Sequence, residues 1–169
     1  MAKRTILTFP DPVLRKKAEE VTTFDEHLRE LAADMAETMY EAPGIGLAAN
    51  QIGVLLQVIV VDISESEEER KFITLVNPEI SDGEGCVAGE EGCLSVIDYT
   101  SSVERFQKIK VRARDLEGNE LEFEAEDRFA RVIQHEVDHL HGKLFIDRIS
   151  SLKRNLYKKK LKKILKSRS

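Results

Sequence analysis

Apolar residues recur at three- and four-residue intervals in the first quarter of the chain. This spacing predicts an amphipathic helix over residues 25–41. Thr23 and Glu26 have the spacing of a capping box at its start, and Pro43 and Gly44 follow its end. Core packing accounts for the whole pattern, so this helix is not expected to take part in chemistry.

Three further segments have the hydrophobic pattern of strands. A mostly apolar run over residues 54–61, β-branched at every position from Val58 on, predicts a buried strand, and residues 71–76 predict a second one. The acidic stretch between them, residues 64–70, predicts a solvated turn. Alternation over residues 109–125 predicts a hairpin, with a Glu-Gly-Asn turn at residues 117–119.

Residues 127–142 return to a helical pattern. Asp127 is placed to cap a helix over residues 128–141, which Gly142 would close. The predicted elements are several strands and few helices, and strands do not alternate regularly with helices. This arrangement predicts an α+β fold.

Length and composition are those of an ordinary soluble protein. The chain has 169 residues, of which 41% are hydrophobic and 34% charged, and this size buries a core without disulfides. No apolar run approaches the roughly 20 residues that span a bilayer, and the apolar stretch near the N-terminus is too short for a signal peptide. We therefore expect a cytoplasmic protein, in which Cys86 and Cys93 are free thiols or metal ligands.

Charge separates the chain into two parts. The formal net charge is −5, yet residues 151–169 hold nine Lys or Arg and no acid, so the rest is strongly acidic. We expect a catalytic domain over residues 1–150 and a basic amphipathic helix over residues 151–169. The apolar stripe of this helix is predicted to comprise Leu152, Leu156, Leu161, Ile164 and Leu165.

The stretch QHEVDHLHG, residues 134–142, carries the strongest chemical signal. His135 and His139 are four residues apart, so on a helix both imidazoles lie on one face and can bind one metal ion, with Glu136 beside them. A polar helix with two surface histidines is the alternative. Apolar residues on nearly every side of the motif favour a buried helix, whose imidazoles need partners. These residues are Val132, Ile133, Val137 and Leu140.

A catalytic metal site needs a third ligand, and the sequence downstream does not supply one. The pattern His-Glu-x-x-His-x-x-Gly-x-x-His would place it at position 145, which is Phe145. Asp147 is the only carboxylate after the motif, so an upstream thiolate is the better candidate. Cys93 lies between flexible residues, while Cys86 is a rival that spacing does not exclude; a small packed thiol is the alternative for both.

Three motifs together resemble the signature motifs of the peptide deformylases. They are GIGLAANQ at residues 44–51, EGCLS at 91–95 and QHEVDH at 134–139, and the resemblance runs over residues 5–148. It implies an α+β fold in which antiparallel strands wrap around the motif helix. One departure is Ile97, which stands where the family usually has proline after Cys-Leu-Ser-Val.

The resemblance also implies a reaction, the removal of the N-formyl group from the N-terminal formylmethionine of new polypeptides with release of formate. It selects Cys93 over Cys86 as the third metal ligand, with His135 and His139. The implied metal is Fe²⁺ in the cell, while thiolate and imidazole also suit Zn²⁺, Ni²⁺ or Co²⁺. Glu136 would move the proton between water and the departing amine.

Other residues would stabilise or bind the substrate. By resemblance, the Gln51 side-chain amide and the backbone N–H of Leu94 donate to the oxyanion. Gly44, Ile45 and Gly46 would lie along the peptide, where a missing Cβ permits close approach; a plain turn after the first helix is the alternative for the two glycines.

Several charged residues near the motifs allow more than one interpretation. Glu91 and Asp138 are candidate partners of the metal ligands, with Arg105 as the counter-ion of either, and a surface ion pair is the alternative. His141 is two residues past His139, about 200° around a helical wheel, which favours a surface residue or helix cap. Two other functions also fit: a peptidase that cuts internal bonds, and a non-catalytic metal module with Cys86 as fourth ligand.

The basic tail allows three interpretations. It docks on the acidic body, lies on an anionic membrane, or binds ribosomal RNA through its lysines. Because the implied substrate is a nascent chain, and resembling enzymes use a C-terminal helix at the ribosome, ribosome binding is favoured. No DNA partner is expected.

Overall fold

In the computed structural model, which describes residues 2–66 and 68–168, strands and helices form the predicted α+β fold. The helices are α1 (Glu26–Glu41), α2 (Asp127–Leu140) and α3 (Ser151–Ser167). The strands are β1 (Gly46–Ala48), β2 (Val58–Asp62), β3 (Phe72–Glu84), β4 (Val87–Cys93), β5 (Val96–Arg105), β6 (Lys108–Arg114) and β7 (Glu120–Glu126). An antiparallel sheet has the order β1-β2-β3-β6-β7, and β4 pairs with β5 in a separate hairpin.

Strand β2 has apolar residues at successive positions because both of its faces are buried. Ile59 and Val61 pack in the cluster that contains α2, whereas Val58 and Val60 pack in the cluster that contains α1. The predicted strand over residues 54–61 is therefore correct in its burial but starts too early. Leu56 instead forms a parallel bridge with Glu19.

The predicted helices are present, but two of the predicted caps are wrong. Asp25 caps α1 by accepting from the Leu28 N–H at 3.2 Å, so the capping box at Thr23 is not used. Glu126, whose side chain makes no capping bond, precedes α2, and Asp127 is its first residue at a positive φ of 53°. At α2 the cap is displaced because strand β7 ends at Glu126 and the helix begins at the next residue, which leaves no separate capping position.

Gly142 ends α2 as predicted. Its φ is 75°, and a Cβ there would collide with the backbone carbonyl of Arg15. His141 is the exposed C-cap residue, as the helical wheel indicated. The chain then turns sharply and stays against the body.

The strands differ more from the sequence predictions than the helices do. The hairpin of β6 and β7 and its turn are confirmed, and Asp115 Oδ1 accepts from the backbone N–H groups of Glu117 and Asn119, both at 2.9 Å. Strand β3 continues eight residues beyond the predicted end, and the β4–β5 hairpin was not predicted. Two glycines and two glutamates in β4 conceal the alternation that usually indicates a strand.

Helix α3 docks on the body, but through only part of the predicted stripe. Tyr157 and Leu161 are buried, whereas Leu152 and Leu156 are 69% and 56% exposed. Tyr157 donates to the carbonyl of Ile97 at 2.9 Å, so the backbone at the position that departs from the family pattern is held by α3. None of the helices described is long and apolar enough to cross a membrane.

Candidate metal centre and active site

Cys93, His135 and His139 converge at one end of a cleft between α2 and the β4–β5 hairpin. Cys93 is the last residue of β4, and the histidines lie one turn apart in α2. The ligand atoms of the three residues lie within 4.8 Å of one another, and Cys93 Sγ is 3.3 Å from His139 Nε2. Thiolate and imidazole donors suit zinc and the first-row transition metals. This group can hold a divalent metal ion, as the sequence predicts.

Two alternatives considered from the sequence do not fit this geometry. Cys86 is exposed in the turn between β3 and β4 and is not part of the ligand group, so the closed site with Cys86 as fourth ligand is not formed. Phe145, at the downstream ligand position of some zinc peptidases, is buried and stacks on the His135 ring at 6.1 Å. The third residue of the group that could hold a metal is instead Cys93, upstream in the sequence.

The imidazole of His135 is oriented by Glu91. Its Nδ1 lies 2.9 Å from Glu91 Oε1, which directs Nε2 towards the ligand group. A carboxylate in this position fixes the tautomer and makes the other nitrogen a better ligand. Glu91 therefore supports the metal centre without being one of its ligands.

Glu91 also joins the metal centre to a buried network of ion pairs. It accepts from Arg105 Nε and Nη2, both at 2.9 Å, and from Arg131 Nη1 at 2.6 Å. Arg105 Nη1 donates to Asp138 Oδ2 at 2.6 Å. Burial raises the pKa of Glu91, but hydrogen bonds from Arg105 and His135 outweigh it and hold the pKa at about 2. The predicted partners of Arg105 thus form a buried network and not a surface ion pair.

The two histidines lie in different electrostatic surroundings. Burial and the charge of His135 lower the pKa of His139, so its imidazole is neutral, the form that binds metals. Burial also lowers the pKa of His135, but Glu136, Cys93 and Glu91 together raise it well above its usual value. The negative charges that favour a proton on His135 also favour a divalent cation at the same point.

Glu136 faces the cleft beside the ligand group and is 4% exposed. Its Oε1 has no hydrogen-bond partner among the described residues. Burial raises its pKa to about 7, which suits a group that accepts and returns a proton near neutral pH. A Cβ on Gly46 would lie 2.6 Å from Glu136 Oε2, so this glycine is needed for the close approach of β1 to α2. That reason differs from the approach to substrate inferred from the sequence.

The Gln51 amide is held in one orientation next to Cys93. Its Oε1 accepts from the Ala48 N–H at 2.9 Å, while Nε2 donates to Ser95 Oγ at 3.0 Å and lies 3.6 Å from Cys93 Sγ. Ser95, for which the sequence predicts no separate role, is fully buried and its N–H lies 3.4 Å from the same sulfur. Leu94, between Cys93 and Ser95, lines the cleft.

The cleft continues away from the metal centre as a space of about 680 Å³. Gly44, Ile45 and Gly46 form one side, β4 forms the other, and the first two turns of α2 close it, including Arg128 and Arg131. All predicted site residues except His139 line this cleft, and His139 is buried next to it with its Nε2 3.3 Å from Cys93 Sγ. The structure adds Arg131, which no pattern indicated because a single arginine on a helix carries no signal.

Comparisons with known proteins give one consistent result. The family model for polypeptide deformylase matches residues 3–155. The peptide deformylase of Desulfotalea psychrophila is 54% identical over 164 residues, covering 96% of this chain and 97% of that protein. The peptide deformylase of Syntrophobacter fumaroxidans is 51% identical, covering 98% of each.

Solved structures agree in fold over nearly the whole chain. The crystal structure of a peptide deformylase from Legionella pneumophila has a TM-score of 0.90 and 47% identity, covering 99% of both chains. The peptide deformylase from Ehrlichia chaffeensis in complex with actinonin has a TM-score of 0.88 and 39% identity, covering 96% of this chain and 98% of that one.

Proposed function

Because the chain belongs to the polypeptide deformylase family, it removes the N-formyl group from nascent polypeptides, and we propose that Cys93, His135 and His139 hold the metal ion. The observation that carries this assignment is the convergence of three ligand atoms within 4.8 Å beside the buried Glu136. When bound, a divalent ion supplies a Lewis acid that lowers the pKa of water from 15.7 towards about 7. Fe²⁺ is the proposed metal in the cell, and the same donor set accepts Zn²⁺, Ni²⁺ or Co²⁺.

Glu136 is the proposed general base and acid. Its carboxylate takes a proton from the water whose oxygen adds to the formyl carbon. It returns that proton to the amine nitrogen as the C–N bond breaks, so that formate and a free amino group leave. Burial raises the pKa of Glu136 to about 7, which favours both transfers near neutral pH.

Gln51 Nε2 and the backbone N–H of Leu94 are the proposed donors to the formyl oxygen as it gains negative charge. The bond from Ala48 to Gln51 Oε1 fixes the amide, so Nε2 is directed towards Cys93 before any substrate arrives. A donor that is already oriented costs no reorganisation during the reaction, and each one contributes roughly 10²–10³ in rate.

Gly44, Ile45 and Gly46 are proposed to bind the peptide backbone. Strand β1, which begins at Gly46, lies at the edge of its sheet and borders the cleft. An extended peptide can add to such an edge through main-chain hydrogen bonds. The formyl group would then lie at the metal end and the rest of the polypeptide would follow the cleft outwards.

The test combines metal and activity measurements on one sample. The protein is purified without oxygen, its metal content is determined, and hydrolysis of a formyl-Met tripeptide is compared with that of the same peptide without the formyl group. Formate release from the first peptide only, in proportion to bound metal, is the expected result. Cleavage of an internal bond in the unformylated peptide would overturn the assignment.

The basic helix α3 is proposed to bind the ribosome, where formylated nascent chains emerge in the cytoplasm. Its lysines at positions 158, 159, 162 and 163 are exposed, and Leu152 and Leu156 remain uncovered beside them. Tyr157 and Leu161 hold the helix on the body. One side of α3 is therefore attached to the body and the other side exposes its lysines, which supports the proposal that α3 contacts ribosomal RNA.

A further inference from the structure

Arg128 lines the cleft at the N-terminal end of α2. It precedes His135 by seven residues in α2, a rise of about 10 Å at 1.5 Å per residue. The formyl group is the first group of the substrate, so the rest of the peptide extends towards Arg128. An extended chain advances about 3.3 Å per residue, so about three residues cover this distance.

The charge of Arg128 is not neutralised by a neighbouring acid. Its side chain is exposed and lines the cleft. Among residues 2–66 and 68–168, none forms an ion pair with it, and Asp62 interacts with it only at longer range. Asp62 Oδ1 already accepts from Tyr40 Oη at 2.8 Å and Ser64 Oγ at 2.6 Å. Arg128 is therefore available to a ligand.

The other charged residues of the cleft wall form no ion pair with Arg128. Arg131 is bound to Glu91 at 2.6 Å, and Asp98 lies 3.8 Å from Arg168 at the side of α3. Glu90 also lines the cleft but is not within ion-pair distance of Arg128. Of the two arginines that line the cleft, Arg128 is therefore the one without an ion-pair partner among the described residues.

We propose that Arg128 forms a subsite for an acidic side chain on one of the two residues that follow methionine in the substrate. This proposal rests on the proposed function, because it assumes that the formyl group lies at the metal centre. Arg128 selects among formylated peptides by charge and takes no part in bond breaking.

The test measures kcat/KM of the metal-loaded protein for four peptides at low salt. They are formyl-Met-Ala-Ala, formyl-Met-Asp-Ala, formyl-Met-Ala-Asp and formyl-Met-Lys-Ala. Exposed ion pairs contribute about 0.2–1 kcal/mol, so the better aspartyl peptide is expected to exceed the neutral peptide by up to about five-fold. The preference should shrink as salt rises, because salt screens exposed charges.

Variants locate the preference in one side chain. R128Q should bring the ratio of aspartyl to neutral peptide to one, R128E should reverse it in favour of the lysyl peptide, and R128K should retain it. R112Q is the matched control: Arg112 is an exposed arginine on β6 that does not line the cleft, so the same change in net charge should leave the ratio unaltered.

The outcomes separate the subsite from the reaction. Equal kcat/KM for the neutral and both aspartyl peptides, or an acidic preference that survives in R128E, would overturn the subsite while leaving deformylation intact. Absence of formate release from all four peptides would overturn the proposed function together with it.

Discussion

Helices α2 and α3 are adjacent along the chain but buried to very different degrees. In α2, ten of the fourteen residues are buried, including Gln134, His135, Glu136, Asp138 and His139. In α3, only Tyr157 and Leu161 of seventeen residues are buried. Both helices are rich in ionisable groups, so burial and not composition distinguishes them.

This difference determines what each helix can do. Charges in α2 must be paired or bonded because an isolated buried charge costs several kcal/mol, and the Glu91–Arg105–Asp138 contacts meet that requirement. The same burial gives Glu136 its raised pKa and holds the imidazoles in place. The lysines of α3 stay solvated, so they are suited to a partner but not to chemistry. Substitutions should therefore affect the reaction strongly in and around α2 and weakly in α3.

The largest effect is expected at Cys93. Cys93→Ala removes one of the three proposed ligands, so metal content and formyl-Met peptide hydrolysis should both fall to background. Metal analysis after gel filtration and a formate assay measure the two quantities. Cys86→Ala is the matched control and should change neither, since Cys86 is exposed outside the ligand group. Loss of metal from the Cys86 variant with retention in the Cys93 variant would reverse the assignment.

Glu136→Gln should separate metal binding from catalysis. The amide keeps the shape of the side chain but cannot accept the proton, so turnover is expected to fall by about 10²–10⁴. Metal content should stay at the wild-type level because Glu136 is not a ligand. A variant that loses metal and activity in parallel would place Glu136 among the ligands.

Glu91→Gln should have an intermediate effect, since Glu91 acts through His135. Weakening such a carboxylate–imidazole contact typically costs about 10–100-fold in metal affinity. Competition with a chelator measures the change. Glu90→Gln, at the neighbouring exposed residue of β4 that is outside the ligand group, should leave metal affinity unaltered. Equal affinity in wild type and Glu91→Gln would show that His135 is oriented by something else.

The sequence predicts much of α2 and its surroundings because several independent signals coincide there. The apolar residues around His135 indicate burial, and the spacing of the histidines indicates a shared face. β2 is equally clear, since four successive β-branched residues favour a strand that is buried on both faces. These signals are local, so they require no knowledge of the tertiary structure.

The β4–β5 hairpin is not predictable in this way because its stabilising contacts are distant in sequence. Arg131 Nη2 donates to the carbonyl of Val87 at 2.6 Å and its Nη1 to that of Val103 at 2.9 Å. No hydrophobic pattern encodes contacts from a helix to backbone carbonyls. For the same reason the choice of Tyr157 over Leu156 as the docking residue of α3 depends on the surface that receives it.

A small effect is expected where α3 meets the body. Tyr157→Phe removes the hydrogen bond to the Ile97 carbonyl, which should cost about 1 kcal/mol in the free energy of unfolding. Denaturant titration measures this change, and Lys158→Gln, an exposed neighbour, should stay within about 0.5 kcal/mol of wild type. Unchanged stability of Tyr157→Phe would show that the contact does not hold the helix.

The smallest effect on catalysis is expected from the exposed face of α3. Replacing Lys158, Lys159, Lys162 and Lys163 by Gln should leave hydrolysis of a short formyl-Met peptide at the wild-type rate, because these side chains are exposed and lie outside the cleft. Deleting α3 would be a poorer test, since removal of Tyr157 and Leu161 would uncover the cluster that contains Cys93.

Ribosome binding by the same variant should change strongly. Each phosphate contact lowers the logarithm of the binding constant by roughly 0.7–0.9 per tenfold rise in salt, so four contacts predict about a 10²-fold loss between 50 and 200 mM. The variant should bind weakly at both salt concentrations. Gln at the four basic positions of β6 is the matched control, because it removes the same charge from a strand of the five-stranded sheet and not from α3. Salt-insensitive binding, or equal binding by wild type and the α3 variant, would exclude this helix as the contact with the ribosome.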